Sequence, residues 1–279
     1  MRADLHVHST ASDGTDDPAE VMRRAAAAGL DVVALTDHDT TAGHAAARAA
    51  LPGSLIMLPG MELSSELAGR SVHLLTYLFD PAYPELAAET ARIRDDRVLR
   101  AQAMVRRLCE LGAAVTWAQV AAIAGDSVVG RPHIARAMAQ AGVVDDPAAA
   151  FTKDWIADGG RAYVEKYALP PARAISLVRA AGGVTVLAHP RAGRDWELSD
   201  EQIADLASVG LAGVEVWHPD HDLAERTALL ALATDLGLIP TGGSDDHGQL
   251  TGHRIGTELS APDTYDRLVA IAAPNPAHP

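Results

Sequence analysis

Asp4-Leu5-His6-Val7-His8-Ser9 sets two imidazoles two residues apart, with apolar Leu5 and Val7 alternating between polar neighbours. Alternation of period two is the pattern of a strand, so His6 and His8 project from one face. Side by side, they can chelate one metal ion through ring nitrogens. The plain alternative is a strand carrying two half-exposed histidines. Groups of the same chemistry recur along the chain: Asp13, His38, Glu62, His73, His189, Asp245 and His247 each stand in a turn or near the end of an apolar stretch. Singly, each has an ordinary reading, as turn former, helix cap or surface carboxylate. Jointly, those readings would require six of the 12 histidines to fall at strand termini by chance. A polynuclear metal site is the better expectation. Mixed imidazole and carboxylate donors without thiolate suit Mn²⁺, Fe²⁺ or Zn²⁺.

Such groups must be gathered by a fold, and the elements between them suggest which one. Asp17, Pro18 and Glu20 read as N-cap, N1 and N3 of a helix running to Gly29. Short apolar strands are expected over residues 31–36, 55–58, 71–79, 184–188, 213–217 and 238–241, mostly separated by helices. With the first strand this makes an α/β chain of roughly seven strands. A barrel gathers groups from the C-terminal ends of many strands onto one site, whereas an open sheet spreads them along an edge. The barrel is therefore the expected architecture and the doubly wound sheet its rival. No GxGxxG or phosphate-binding P-loop motif is present.

The middle of the chain breaks the rhythm. Helices are expected over residues 84–111, 116–124, 132–140 and 147–157, with no strand between 84 and 160. This suggests three segments: 1–83 as the first part of a barrel, 84–167 as a helical insertion or cap, and 168–279 as the second part. The arginines Arg92, Arg94, Arg97, Arg100 and Arg106 read as a solvated helix face. The Pro-rich end is expected to fray.

Composition narrows the function classes. A formal net charge of −14 is a poor match for long duplex DNA. It does not oppose a small anion drawn in by metal ions or local arginines. One cysteine, Cys109, cannot form a disulfide framework or a thiolate zinc site within one chain. No apolar run approaches a membrane span and no signal peptide is visible, so a cytoplasmic setting is expected.

His6-Val7-His8, Thr36-Asp37-His38-Asp39, Gly60-Met61-Glu62, Ala188-His189-Pro190 and Gly243-Ser244-Asp245-Asp246-His247-Gly248 resemble the motifs of the PHP (polymerase and histidinol phosphatase) family. Gly130-Arg131-Pro132-His133-Ile134-Ala135 and Ala162-Tyr163-Val164 resemble its branch of nucleoside 3′,5′-bisphosphate phosphatases and 5′-to-3′ exoribonucleases. The resemblance implies a distorted (β/α)7 TIM-like barrel, the PHP fold, with a helical insertion. It further implies three divalent metal ions. His6, His8, Glu62 and Asp245 would hold the first. Glu62 would bridge to a second on His73 and His189, and Asp13, His38 and His247 would hold the third. Asp13, His38, Glu62 and His247 would carry catalysis, in which a metal-bridging hydroxide attacks a phosphomonoester. The implied substrate is a small nucleotide, either a nucleoside 3′,5′-bisphosphate or the 5′ end of short single-stranded RNA. Arg131, His133, Lys153, Arg161, Lys166 and His221 are the candidate substrate contacts. Two departures stand out. Asp246 adds a charge where the family commonly has Phe, and Gly160-Arg161 replaces a Gly-Lys pair. A phosphatase for another metabolite, such as histidinol phosphate, and a catalytically silent metal-binding module are the competing readings.

Overall fold

In the computed structural model, residues 1–192 and 197–272 are described. The expected frayed end lies outside them. The chain divides into two compact units, one of Met1–Thr90 with Ala168–Pro279 and one of Ala91–Tyr167.

The first unit is built on a seven-stranded sheet in which the strands lie in chain order. They are β1 (Ala3–Val7), β2 (Val32–Leu35), β3 (Ile56–Leu67), β4 (Arg70–Tyr77), β5 (Val184–Leu187), β6 (Gly213–Trp217) and β7 (Ile239–Gly242). β1 to β3 and β5 to β7 pair in parallel, while β4 is antiparallel to both neighbours. A parallel bridge from Val7 to Asp246 and the His8 N–H bond to the Asp246 carbonyl at 2.9 Å bring the two edges together. The result is a distorted α/β barrel, nearly closed, of the expected class. Gly243 permits that approach, because a Cβ there would sit 2.3 Å from the Cβ of His6.

Helices α1 (Pro18–Ala27) and α2 (His44–Ala49) follow the first two strands. Asp17 caps α1 by accepting the Glu20 N–H, with Pro18 at the first turn, as its sequence predicts. Helix α3 (Pro84–Glu110) starts in this unit and runs into the second. The second unit continues with α4 (Trp117–Ala124) and α5 (Arg131–Gln140). The first unit resumes with α6 (Pro171–Ala180), α7 (Asp200–Ser208), α8 (Leu223–Leu236) and α9 (Thr264–Ile271). Among the described residues, no helix is long and apolar enough to cross a membrane.

Two elements differ from their sequence reading. The third strand does not stop at Leu58. It runs through Pro59-Gly60 to Leu67 and turns at Ala68-Gly69 into β4 as a long hairpin. Pro59 sits where β3 is paired to β2, and Gly60 is needed for close approach, since a Cβ there would lie 2.9 Å from Thr36 and 3.0 Å from Tyr77. The Pro-Gly pair therefore marks crowding rather than a turn. The helix expected over 147–157 is only a 3₁₀ turn at Pro147–Ala150. Its Asp146 cap and Pro147 start it, but the following residues fold back through hydrogen bonds such as Ala162 N–H to the Trp155 carbonyl at 2.9 Å.

Each unit has its own core. Leu5, Val32, Ala34, Leu58, Leu75, Tyr77 and Val186 fill the barrel interior, and the Tyr77 hydroxyl donates to the Leu5 carbonyl at 2.7 Å. Met104, Leu108, Val115, Val120, Ile134, Met138 and Ile156 pack together in the second unit. The arginines of α3 are not simply solvated. Arg92 stacks 3.8 Å over the Tyr167 ring, and Arg100 Nε donates to the Val164 carbonyl at 2.6 Å.

Buried His44 ties the end of β2 to the interior of β3, its Nε2 donating to the carbonyls of Gly60 at 2.9 Å and Leu35 at 3.3 Å. Burial lowers its pKa below the ordinary 6.5, against the partial compensation of those carbonyls. The unfolded chain protonates near 6.5 while the folded chain keeps His44 neutral. Its contribution to stability is thus full above that value and is lost as pH falls below it. His44→Gln keeps a donor but cannot titrate. In urea unfolding between about pH 8 and about pH 5, wild type should lose more stability than this variant. Parallel curves would refute the assignment.

Candidate metal centre

His6 and His8 stand on β1 and just beyond it, side by side, and both are almost wholly buried. Their Nε2 atoms lie 3.1 Å apart. Glu62 Oε2 is 3.4 Å from the first and 3.1 Å from the second, and Asp245 Oδ1 is 3.2 and 3.3 Å from them. Donors about 2.1 Å from one ion are about 3.0 Å apart when cis in an octahedron and about 3.4 Å apart in a tetrahedron. The observed separations fall in that interval. Four lone-pair atoms therefore converge on a point that a divalent ion fits.

Glu62 serves two neighbours at once. Its Oε1 lies 2.8 Å from His73 Nδ1 and 3.1 Å from His189 Nε2. Its position in the middle of β3, rather than at a strand end, allows this. β4 folds back beside it, with Ser64 opposite His73, so a residue from the returning strand reaches the same carboxylate. His38 lies between groups. Its Nδ1 is 3.1 Å from Glu62 Oε2 and is buried without a hydrogen bond, and its Nε2 is 3.7 Å from Asp13 Oδ2. His247 Nε2 completes that side, 3.3 Å from Asp13 Oδ1. Three donor sets result: His6, His8, Glu62 and Asp245; His8, Asp13, His38 and His247; and His38, Glu62 and His73, with His189 on the same Glu62 oxygen. All nine residues expected as metal ligands are thus brought into one cluster.

Electrostatics favours cation binding. Burial raises the pKa of Glu62, but His38, His73 and His6 outweigh it and hold the carboxyl well below its usual range. Asp13 and Asp245 are likewise held down by the imidazoles around them, against the effect of burial. Burial lowers His8, yet Asp245 and Glu62 bring it up to about 10. His38 goes the other way, pushed down to about 3 by burial, despite Glu62 and Asp13. Carboxylates stay ionised, and cations compete with protons for the imidazoles.

The loops that present these groups are tightly held. Asp37 accepts the Ser9 N–H at 2.8 Å and both the Ser9 and Ser12 hydroxyls at 2.7 Å. Asp39 accepts the Ser64 N–H at 2.7 Å and its hydroxyl at 2.8 Å. Neither aspartate caps a helix; Asp37 ties the segment after β2 to the loop after β1, and Asp39 ties it to β3. Asp4 accepts N–H groups from Ser244 and Gly256, and Asp246 accepts from Gly248, Thr251 and Arg254. Asp246 therefore fastens its own loop rather than adding a free charge to the site. Asp39, His189 and Asp245 have φ of 54°, 25° and 47°, left-handed conformations costly for such residues.

The proposed substrate contacts are placed differently. Arg131 pairs with Asp158 Oδ1 at 2.6 Å. His133 is buried, and its Nδ1 accepts the Gly130 N–H at 3.0 Å at the start of α5. Lys153 and Arg161 are exposed and Lys166 is half-buried. His221 Nδ1 donates to the Val216 carbonyl at 3.0 Å and its Nε2 accepts the Arg191 N–H at 3.3 Å. Both its ring nitrogens are engaged by backbone, which leaves none for a phosphate in this arrangement. Two groups at the site escaped the sequence reading. Glu215, a lone carboxylate in the apolar run of β6, reaches His6 Nδ1 at 3.2 Å. His218, just beyond β6, is buried 3.4 Å from Asp245 Oδ2.

Residues 4–92 match the PHP domain family. Over 90% of its length the chain is 35% identical to a 3′,5′-nucleoside bisphosphate phosphatase of Chromobacterium violaceum, of which the match covers 89%. It is 33% identical to a 5′-3′ exoribonuclease of Haemophilus influenzae over 96% of this chain and 97% of that one. A solved Bifidobacterium adolescentis structure, assigned as a metal-dependent phosphoesterase, superposes with a TM-score of 0.89 at 35% identity, covering 98% of this chain and 96% of the other. With these relatives and this cluster, the chain belongs to the PHP family of metal-dependent phosphoesterases.

Proposed function

We propose that this phosphoesterase hydrolyses a phosphomonoester of a small nucleotide, with nucleoside 3′,5′-bisphosphates as preferred substrates. The observation that carries the reading is the shared Glu62 carboxylate, one oxygen facing His6 and His8 and the other facing His73 and His189. Such a bridge would set two cation sites next to each other, an arrangement that can stabilise both the attacking and the leaving oxygen of an in-line displacement at phosphorus. His6, His8, Glu62 and Asp245 would hold one ion, Glu62, His73 and His189 a second, and Asp13, His38 and His247 a third, with Mn²⁺, Fe²⁺ and Zn²⁺ all suited to the donors. Bound divalent ions would lower the pKa of water toward about 7 and offset charge on the phosphoryl oxygens.

The protein's own part is orientation. The donors on β1, β3 and β4 sit on paired strands rather than on free loops, which fixes their mutual distances. Asp245, His73 and His189 keep 17%, 23% and 25% of their side chains exposed, whereas His6, His8 and Glu62 keep at most 1%. A phosphate would therefore approach from the Asp245, His73 and His189 side. The names of the Chromobacterium and Haemophilus relatives support a nucleotide substrate, and the second makes short RNA 5′ ends the neighbouring possibility. Eleven of the chain's 23 arginines and lysines fall within Ala91–Tyr167, which supports substrate contacts from Arg131, Lys153, Arg161 and Lys166 there. Of these, Arg131 and Arg161 carry guanidinium groups, which grip phosphate with paired donors, and Arg131 stands in the Gly-Arg-Pro-His motif at the start of α5.

Phosphate release should be measured with each of the three metals on a nucleoside 3′,5′-bisphosphate, a 5′-phosphorylated RNA oligomer, histidinol phosphate and an aryl phosphate. Fastest release from the bisphosphate is expected; no release from any of them would leave only a silent metal-binding module. Metal content should change by site. Asp13→Asn should lose about one equivalent and Glu62→Gln at least about two, relative to wild type, since only Glu62 bridges. Equal losses would contradict the bridging role. Arg131→Ala should raise KM for the bisphosphate by about tenfold or more and for the aryl phosphate by much less. The same change for both would remove Arg131 from substrate reading.

A further inference from the structure

β6 supplies no residue to any of the three donor sets, yet buried Glu215 on the strand and buried His218 just after it are both aimed at them. Glu215 is fully buried in the middle of the strand. Its Oε1 lies 3.2 Å from His6 Nδ1, and its Oε2 accepts the backbone N–H of His189 at 2.8 Å. His6 Nε2 faces Glu62, Asp245 and His8, so the hydrogen on Nδ1 is the one Glu215 receives. One carboxylate thus orients one ring and fixes the backbone of another.

His218, just beyond the strand, is read from its other nitrogen. Its Nδ1 accepts the Asp220 N–H at 3.1 Å, so in the neutral ring the hydrogen resides on Nε2. That Nε2–H points at Asp245 Oδ2, 3.4 Å away. Asp245 Oδ1 is the oxygen that faces His6 and His8. The β6 pairing with β7 shifts register between Glu215 and Trp217, an irregularity of the kind that re-aims side chains beside a site. Arg226 locks the turn that follows. It donates to the carbonyls of His218 at 2.7 Å and His221 at 2.9 Å while pairing with both oxygens of Glu258.

We infer that Glu215 and His218 are positioning residues of the metal centre, through which β6 orients ligands it does not itself provide. Glu215 sets His6 in the Nδ1–H tautomer that leaves Nε2 for a cation, and His218 holds Asp245 by its outer oxygen so that Oδ1 turns inward. Partners of this kind fix ring orientation and raise ligand basicity. The inference rests on the reading of His6 and Asp245 as ligands.

Zn²⁺ affinity of the full chain is measured by competition with a chromophoric chelator, in wild type, Glu215→Gln and His218→Gln, alongside thermal unfolding of the metal-free forms. Each variant should bind its weakest-held ion about tenfold or more less tightly, with a metal-free melt close to wild type. Affinities within about twofold of wild type in both variants would overturn the positioning role while leaving the ligand assignment standing. Absence of Zn²⁺ binding by wild type would refute the ligand assignment itself. If either variant does not fold, ¹⁵N–¹H spectra of the histidine rings in Zn²⁺-loaded wild type decide. Nδ1–H on His6 and Nε2–H on His218 are expected. A metal-coordinated Nε2 on His218, or Nε2–H on His6, would overturn the inference.

Discussion

A carboxylate that has lost its water is the constraint on which the structure turns. Glu62 is 1% exposed and stays ionised. Removing a carboxylate from water is expensive unless it is paired and fully hydrogen-bonded. The pairing comes from imidazoles on four other segments: His6 and His8 from β1, His38 after β2, His73 from β4 and His189 after β5. No short-range arrangement could supply them. A barrel that carries each of these strands past one point is what makes the buried charge tolerable, and the charge in turn leaves the barrel little freedom of register. A one-residue slip of β3 would turn Glu62 outward and bring apolar Met61 or Leu63 into the imidazole cluster.

Around this centre lies a layer of further buried carboxylates, Asp4, Asp37, Asp39, Asp246 and Glu215. They would repel one another and the ligands unless each were satisfied locally, and the means differ by residue. Ser9, Ser12 and Ser64 bond to Asp37 and Asp39 through hydroxyls and backbone N–H groups. Asp4 and Asp246 are satisfied largely by backbone N–H groups of the loop after β7. Asp37 ties the segment after β2 to the loop after β1, Asp39 ties it to β3, Asp4 ties β1 to the segments after β7, and Asp246 fastens its own loop. The left-handed backbone at Asp39, His189 and Asp245 is the conformational cost of this arrangement, and the network is what holds it.

This division explains what the sequence revealed. Residues that alternate or stand at element ends announce themselves: His6 and His8 by period two, His38, His189 and His247 by following apolar strands, Asp17 by its cap position. The α/β rhythm followed from the same signals. Glu62 was found, but its strand was cut short, because Pro59-Gly60 is ordinarily a turn and only the crowding against Thr36 and Tyr77 makes it a strand interior. The segment after Pro147 carries a good helix start and no stop, and the fold-back of Ala162 onto Trp155 is tertiary. Glu215 and His218 were passed over for a related reason. Their partners lie 209 and 27 residues away, so nothing local distinguishes them from a strand carboxylate and a loop histidine.

The charge of the chain acquires a different meaning in this light. A net charge of −14 argues against long duplex nucleic acid, and it also repels a small phosphate wherever no cation or arginine offsets it. At the centre itself the obstacle is local, with ionised Glu62, Asp13 and Asp245 facing the space a phosphoryl group must enter. Divalent cations held there would reverse that field, and would then govern entry of the substrate as well as its chemistry. The acidity of the barrel is then not an obstacle placed around a phosphoesterase site. It is the condition for holding enough positive charge at one point to make the site work, and the buried imidazoles are what allow those carboxylates to remain ionised before any cation arrives.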